Sequence, residues 1–236
     1  MNNFESDELR KIRSFYDNTY YKGANAGNKP SSHHISLAEK LGVSDSSTVL
    51  DVACGLGEFL TACSHRGAQV AGVDLSENAI KLCRTALPDG SFHACSAEQL
   101  PFDNGVFDLV TCLGSLEHFL DPKSAIEEMV RVAKPDASFV ILVPNKDFLT
   151  RKLGLYSGTY QVDAKEDVRT LDEWNTLFES AGLRVYRRWK DLHVLSWKWI
   201  STGHWYAAPM RAAQAAALTI WPLKWQYQVF HLAKAN

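Results

Sequence analysis

Val49-Leu-Asp-Val-Ala-Cys-Gly-Leu-Gly57 begins as a short apolar run and ends in a loop with glycines at Gly55 and Gly57. A helix-like segment follows from Glu58, and a second apolar run, Gln69-Val-Ala-Gly-Val-Asp74, ends in a carboxylate. The order is strand, glycine turn, helix, then a strand with an acid at its tip. That unit holds a ribose-bearing ligand at the carboxyl edge of a parallel sheet. The glycines let backbone approach the ligand closely, and Asp74 can accept hydrogen bonds from two ribose hydroxyls.

The charges around the loop bear on which ligand. A dinucleotide fingerprint has a third glycine where this chain has Leu60, and Glu58 sets an anion where a pyrophosphate would lie. Asp51, just before the loop, suits a cationic amine. S-adenosylmethionine carries an ammonium, a sulfonium and a ribose without phosphate, so the electrostatics favour it. A strand–turn–helix that binds nothing is the bland alternative for these residues alone.

Outward from this unit, strands and helices alternate, the pattern of a parallel sheet with right-handed crossovers. Upstream, Leu9, Ile12, Arg13 and Tyr16 share one face of a first helix. The polar loop 23–30 separates it from a second helix, about Ser32 to Leu41, which Gly42 can cap. Downstream, Pro88-Asp-Gly90 stops the helix that starts after Ser76, and Asp121-Pro122 supplies an N-cap and a first-turn proline. Thr170-Leu-Asp-Glu173 is a capping box for a helix closed by Gly182. Strands are expected at Leu183 to Trp189 and Trp225 to Leu232.

Five pieces in order carry a family resemblance: Leu50 to Gly57, Gly72-Val-Asp74-Leu-Ser76, Ser96-Ala-Glu98-Gln-Leu-Pro-Phe102, Phe107-Asp108, and Gly114-Ser-Leu-Glu-His118. A helix from Ile126 to Ala133 and Lys134-Pro135 then lead into strand Ser138 to Val143. Residues 49–145 thereby resemble the class I S-adenosylmethionine-dependent methyltransferases, in the small-molecule (type 11-like) branch that includes quinone and glycan-pathway enzymes. The resemblance implies an α/β fold: a doubly wound, Rossmann-like sheet of seven strands, the last antiparallel, with helices on both faces. It implies one domain, with residues 1–45 as a helical cap, 46–190 as the cofactor-binding core, 191–224 as an insertion, and 225–236 as the last strand.

The resemblance also distributes roles. Gly55 and Gly57, with Ala53 between the strand and the loop, approach the methionine part of S-adenosylmethionine. Asp51 serves the amino group, Asp74 with Leu75 the ribose, and Ser96-Ala97-Glu98 the adenine. An aspartate is frequent in the family where Ser96 stands, which weakens the expected adenine contact. Leu113 to His118 closes the fourth strand and faces the reacting methyl. His118 is the candidate base, since imidazole titrates near neutrality; capping the turn or lining the pocket is its alternative. Tyr16, Tyr20 and Tyr21 belong to a segment that folds over the cofactor in related enzymes, with Tyr21 as a cofactor contact. His33-His34 lacks a companion at metal-ligand spacing, so no metal is expected.

Composition sets outer bounds. The 236 residues are 46% hydrophobic and 22% charged, ordinary for a globular chain with one large core. A net charge of −2 argues against a generic nucleic-acid binder. Arg184, Arg187, Arg188 and Lys190 read as a basic strand edge. Cys54, Cys63, Cys83, Cys95 and Cys112 form no Cys-x-x-Cys pair and read as small buried hydrophobes. The polar, acidic start Met1 to Glu8 lacks a signal-peptide pattern, and a cytoplasmic location is expected.

The insertion, Asp191 to Lys224, holds Trp197, Trp199, Trp205, Tyr206, Trp221 and an alanine-rich run. A lid over the acceptor, a dimer contact and a patch resting peripherally on a membrane all suit it, as does plain core packing. The expected reaction is methyl transfer to a small organic acceptor, with oxygen favoured, in a monomer or homodimer. Two alternatives stay open: a catalytically silent methyltransferase-like regulatory subunit, and a nicotinamide-dependent oxidoreductase.

Overall fold

The computed structural model describes residues 7–24, 29–154, 166–195, 200–201, 206 and 208–236. Its centre is one seven-stranded sheet: β1 (Thr48–Val52), β2 (Gln69–Asp74), β3 (Ser91–Ala94), β4 (Phe107–Leu113), β5 (Ala133–Pro144), β6 (Leu183–Lys190) and β7 (Gln228–Ala235). The spatial order is β3-β2-β1-β4-β5-β7-β6. β1 pairs in parallel with both β2 and β4, so the strand order reverses there. β7 runs antiparallel to β5 and β6, with Val140 opposite Leu232 and Arg188 opposite His231. The expected doubly wound sheet is therefore the observed one, and β6 with its arginines forms one edge.

Helices α1 (Asp7–Phe15), α2 (Ser32–Lys40), α3 (Glu58–Ser64), α4 (Glu77–Ala86), α5 (Pro122–Val132), α6 (Leu149–Lys152), α7 (Leu171–Ser180) and α8 (Ala208–Ile220) complete the chain. Two apolar layers sandwich the sheet. On one face Ile126 and Met129 of α5 and Trp174 and Phe178 of α7 pack on Leu50, Val110 and Phe139. On the other, Leu37 of α2, Phe59 and Leu60 of α3, and Ile80 and Cys83 of α4 pack on Val49, Val70 and Val140. All five cysteines are free thiols, and all but Cys95 are buried.

The expected helix signals act locally. The Asp121 carboxylate accepts the Ser124 N–H at 3.0 Å, and Thr170 and Glu173 make a reciprocal capping box. Trp174 fixes α7 to β5 by donating its indole N–H to the Pro144 carbonyl at 2.8 Å.

Two boundaries differ from the sequence reading. α5 ends at Val132, and β5 starts directly at Ala133, which pairs with Phe107. The Lys134 ammonium meets the Asp108 carboxylate at 2.9 Å, holding this early part of the strand against β4. The last strand begins at Gln228 instead of Trp225. Leu223–Trp225 forms a short 3-10 turn, and the buried Gln226 amide donates to the Leu218 and Trp221 carbonyls at the end of α8. The backbone N–H groups of Trp225 and Gln226 donate to the Pro222 and Leu223 carbonyls, so they are not available to pair in the sheet.

Of the insertion, Trp197, Trp199 and Trp205 lie outside the described residues, as does 25–28 of the N-terminal loop. In the described part, α8 is moored by Lys190, whose ammonium donates to the Thr219 carbonyl at 2.6 Å. Among the described residues no helix is long and apolar enough to cross a membrane.

Candidate functional site

The strand-order reversal between β1 and β4 opens a crevice at the carboxyl edge of the sheet, where ligands bind in folds of this kind. The loop after β1 is held open by its backbone: Ala53, Gly55 and Gly57 have φ of 60°, 52° and 72°. The left-handed conformation costs a non-glycine residue about 1–2 kcal/mol, so strain sits at Ala53, beside the crevice. At Gly55 a Cβ would lie 2.9 Å from the Tyr21 hydroxyl, so a side chain there would collide with the residue that covers the loop.

Asp74 is the anchor of the crevice. One carboxylate oxygen accepts the Gly55 N–H at 2.9 Å and the other the Ser76 N–H at 2.9 Å. Burial pushes its pKa up, although the backbone donors pull the other way. Asp51 lies deeper, within β1, with the Thr111 hydroxyl donating to it at 2.6 Å. Burial drives its pKa up to about 7, against the Thr111 hydrogen bond, and the charge of Asp74 adds to the rise.

One cavity gathers most of the expected residues. Tyr21, Ala53, Asp74, Leu75, Ser96, Ala97, Glu98 and His118 all line it. The Ser96 hydroxyl donates to the Glu98 carboxylate, and a Glu98 oxygen accepts the Asp121 N–H at 3.2 Å. Asp51, Gly55 and Gly57 sit apart from this lining: Gly57 is the N-cap of α3, and a Cβ there would come 3.1 Å from Cys83 Sγ. Leu113 lines a neighbouring cleft instead, while Ser115, two residues on, lines the cavity.

The sequence reading treated Leu9 and Ile12 only as the packed face of the first helix and gave Tyr16 both that role and a place over the cofactor; all three form a wall of this cavity. Their spacing on one helical face is the signal that was available. Burial, with the nearby Asp74 charge, pushes the Tyr16 hydroxyl up to about 12. A short π-helical turn, Tyr16–Tyr20, continues α1, and its Asp17 accepts from the Ser76 hydroxyl at 2.5 Å and the Asn78 N–H at 3.2 Å. The N-terminal segment is thus latched onto the start of α4, across the crevice. Asn145 also escaped notice: its amide donates to the Lys224 and Gln226 carbonyls at 2.9 and 3.2 Å and ties the end of β5 to the insertion.

The donor set can be tested against possible ligands. Among the described residues lining the cavity there is no lysine or arginine, and the ionisable groups include two carboxylates, Asp74 and Glu98. A pyrophosphate would find no cation there. A cationic, ribose-bearing molecule fits: hydroxyls at Asp74, an apolar wall at Leu75 and Ala97 for a purine, and acidic groups to offset its charge.

Residues 50–141 match the family model described as a methyltransferase domain. A ubiquinone biosynthesis O-methyltransferase of Idiomarina loihiensis is 37% identical over 117 residues, 48% of this chain and 48% of that protein. The protein of the same name from Alkalilimnicola ehrlichii is 29% identical over 167 residues, 69% of this chain and 67% of its own. Geranyl diphosphate C-methyltransferase from Streptomyces coelicolor, solved with S-adenosyl-L-homocysteine, superposes with a TM-score of 0.67 at 14% identity, covering 98% of this chain and 99% of that one. At that identity the likeness concerns the fold. Residues 50–141 thus match a methyltransferase domain, and the sheet order with its antiparallel last strand is the fold of the solved methyltransferase. The aligned region spans about half the length of the Idiomarina relative and two thirds of the Alkalilimnicola one.

Proposed function

We propose that the protein transfers a methyl group from S-adenosylmethionine to an oxygen of a small organic acceptor. The observation that carries this reading is the buried Asp74 bonded to the Gly55 N–H, in a cavity whose described lining is acidic and without lysine or arginine. The names of the curated relatives favour oxygen as the receiving atom and a quinone-type acceptor.

In this reading Asp74 and Leu75 hold the ribose, Ala97 with Ser96 and Glu98 the adenine, and the turn 53–55 the methionine part. Asp51 acts from below on the amine, and Tyr21 with α1 screens the site from water. When bound, S-adenosylmethionine supplies an electrophilic methyl: its C–S bond breaks as the O–C bond forms, a neutral thioether leaves, and the hydroxyl proton passes to a base. The protein's part is to align the acceptor, exclude water and take that proton. His118 lines the cofactor cavity and is one candidate for the base.

Calorimetric titration with S-adenosylhomocysteine and, separately, with NADH tests the reading. Binding of the first alone supports it; binding of NADH alone would replace it with the oxidoreductase. Binding of S-adenosylhomocysteine without turnover on any acceptor of a broad phenol, alcohol and amine panel favours the silent subunit.

A further inference from the structure

A second cleft, of about 370 Å³, lies beside the cofactor cavity between the start of α2, the ends of β4 and β5, and the segment after β6. The two share one turn: Leu113 and Gly114 line the cleft, and Ser115 lines the cavity. Leu113, Leu142 and Phe230 give the cleft apolar walls. Its polar lining comes from Ser31 to His34 at the start of α2, from Gln228, and from Asp191 and His193 after β6, and within it His33, Asp191 and His193 form one cluster.

Asp191 is buried, and its carboxylate is fully engaged. One oxygen accepts the His193 ring Nδ1–H at 2.5 Å, and the other accepts the His193 backbone N–H at 3.0 Å and lies 3.6 Å from His33 Nε2. The His193 ring is still partly exposed, with 45% of the side chain accessible. Because Nδ1 is committed to the carboxylate, the neutral ring carries its free lone pair on Nε2. A carboxylate behind an imidazole fixes the tautomer and stabilises the imidazolium that forms on proton uptake, which is the work of an oriented general base. Charge agrees with geometry. The hydrogen bond to the Asp191 carboxylate raises the His193 pKa above its usual value despite burial. His33, in contrast, is lowered, first by burial; Asp191 opposes this only in part, and the positive charges of His193 and Lys40 add to the lowering.

We infer that this cleft receives the methyl acceptor and that His193 takes the proton from its hydroxyl, with Asp191 as the positioning residue. This rests on the methyltransferase reading above and assigns the base to the acceptor side, not to His118. The acceptor O–H bond breaks toward Nε2 of His193 as the oxygen forms its bond to the methyl carbon. The imidazolium then releases the proton to solvent. Imidazole matches an acidic hydroxyl such as that of a phenol far better than an aliphatic alcohol, since proton transfer is efficient when the two pKa values are close.

The test uses 4-nitrocatechol, whose ionised form absorbs in the visible. With S-adenosylhomocysteine present, the wild-type protein is expected to bind the probe and shift it toward the catecholate at a pH where free probe is mostly neutral. His193→Asn should weaken binding at least about 10-fold and abolish the spectral shift, with S-adenosylhomocysteine affinity unchanged by calorimetry. Asp191→Asn should move the midpoint of the bound probe's ionisation upward, a change that a merely structural role would not produce. Besides Asp191, the groups facing His193 and His33 are His34 and Lys40, and neither variant touches them. If S-adenosylhomocysteine fails to bind wild type, the methyltransferase reading falls and this inference with it. If it binds but the probe spectrum is unaltered, or His193→Asn behaves as wild type, or His118→Ala alone removes the shift, the assignment of His193 is overturned while the parent reading stands.

Discussion

The Asp74 carboxylate receives the Gly55 backbone N–H at 2.9 Å, so the acid at the end of β2 also clamps the glycine loop after β1. The acid and the glycine loop are one mechanical unit. Replacing the carboxylate therefore removes the loop restraint and, on the proposed reading, a ribose contact together.

Asp74→Ala is expected to weaken S-adenosylhomocysteine binding by about 1–3 kcal/mol and to lower unfolding stability by a similar amount, since it strands the buried Ser76 N–H and the half-buried Gly55 N–H. Calorimetry and urea denaturation read the two effects separately. Unchanged affinity with reduced stability would confine Asp74 to the loop restraint.

Asp17 holds the N-terminal segment to Ser76 and Asn78. Asp17→Ala should release that latch at a cost of about 1–3 kcal/mol, the range for hydrogen bonds to a charged group. Faster tryptic cleavage after Lys22 and faster dissociation of S-adenosylhomocysteine are the expected readouts. The core should keep its thermal midpoint, because α1 and the turn after it bury no residue fully.

Glu117 is buried in the turn after β4, its Oε2 has no partner among the described residues, and burial pushes its pKa up to about 7. Between about pH 4.5 and 7 the folded state keeps a proton that the unfolded state has lost. Stability from this group is thus full at low pH and declines as pH rises toward neutrality. The rise corresponds to on the order of 3 kcal/mol. Glu117→Gln should flatten that decline, measured as urea stability at pH 5 and pH 8. Asp51, also raised to about 7, contributes with the same sign, so some slope will persist.

Trp174 is fully buried, stacks on Phe178 at 6.0 Å and donates to the Pro144 carbonyl. Trp174→Ala should cost about 3–5 kcal/mol through the cavity it leaves. Trp174→Phe keeps most of the apolar volume and should cost about 1–3 kcal/mol, chiefly from the stranded Pro144 carbonyl. Equilibrium unfolding ranks the two, and equal losses would mean that the hydrogen bond dominates over volume.

By itself the sequence determined the sheet, its glycine loop and the acid at Asp74, because these depend on local spacing: apolar runs of strand length, positive-φ positions and caps such as Asp121 and Thr170. It also grouped Tyr21, Ser96 to Glu98 and His118, which follow successive elements to the same sheet edge. Tertiary structure alone decided what meets across long separations. His33 and Asp191 come together because α2 packs beside the ends of β5 and β7, and no periodicity encodes a contact between residues so far apart. The start of β7 likewise depended on the Trp225 and Gln226 N–H groups closing a turn onto Pro222 and Leu223 and on Asn145 taking the Gln226 carbonyl, a competition for backbone hydrogen bonds that is settled only once both segments are in place.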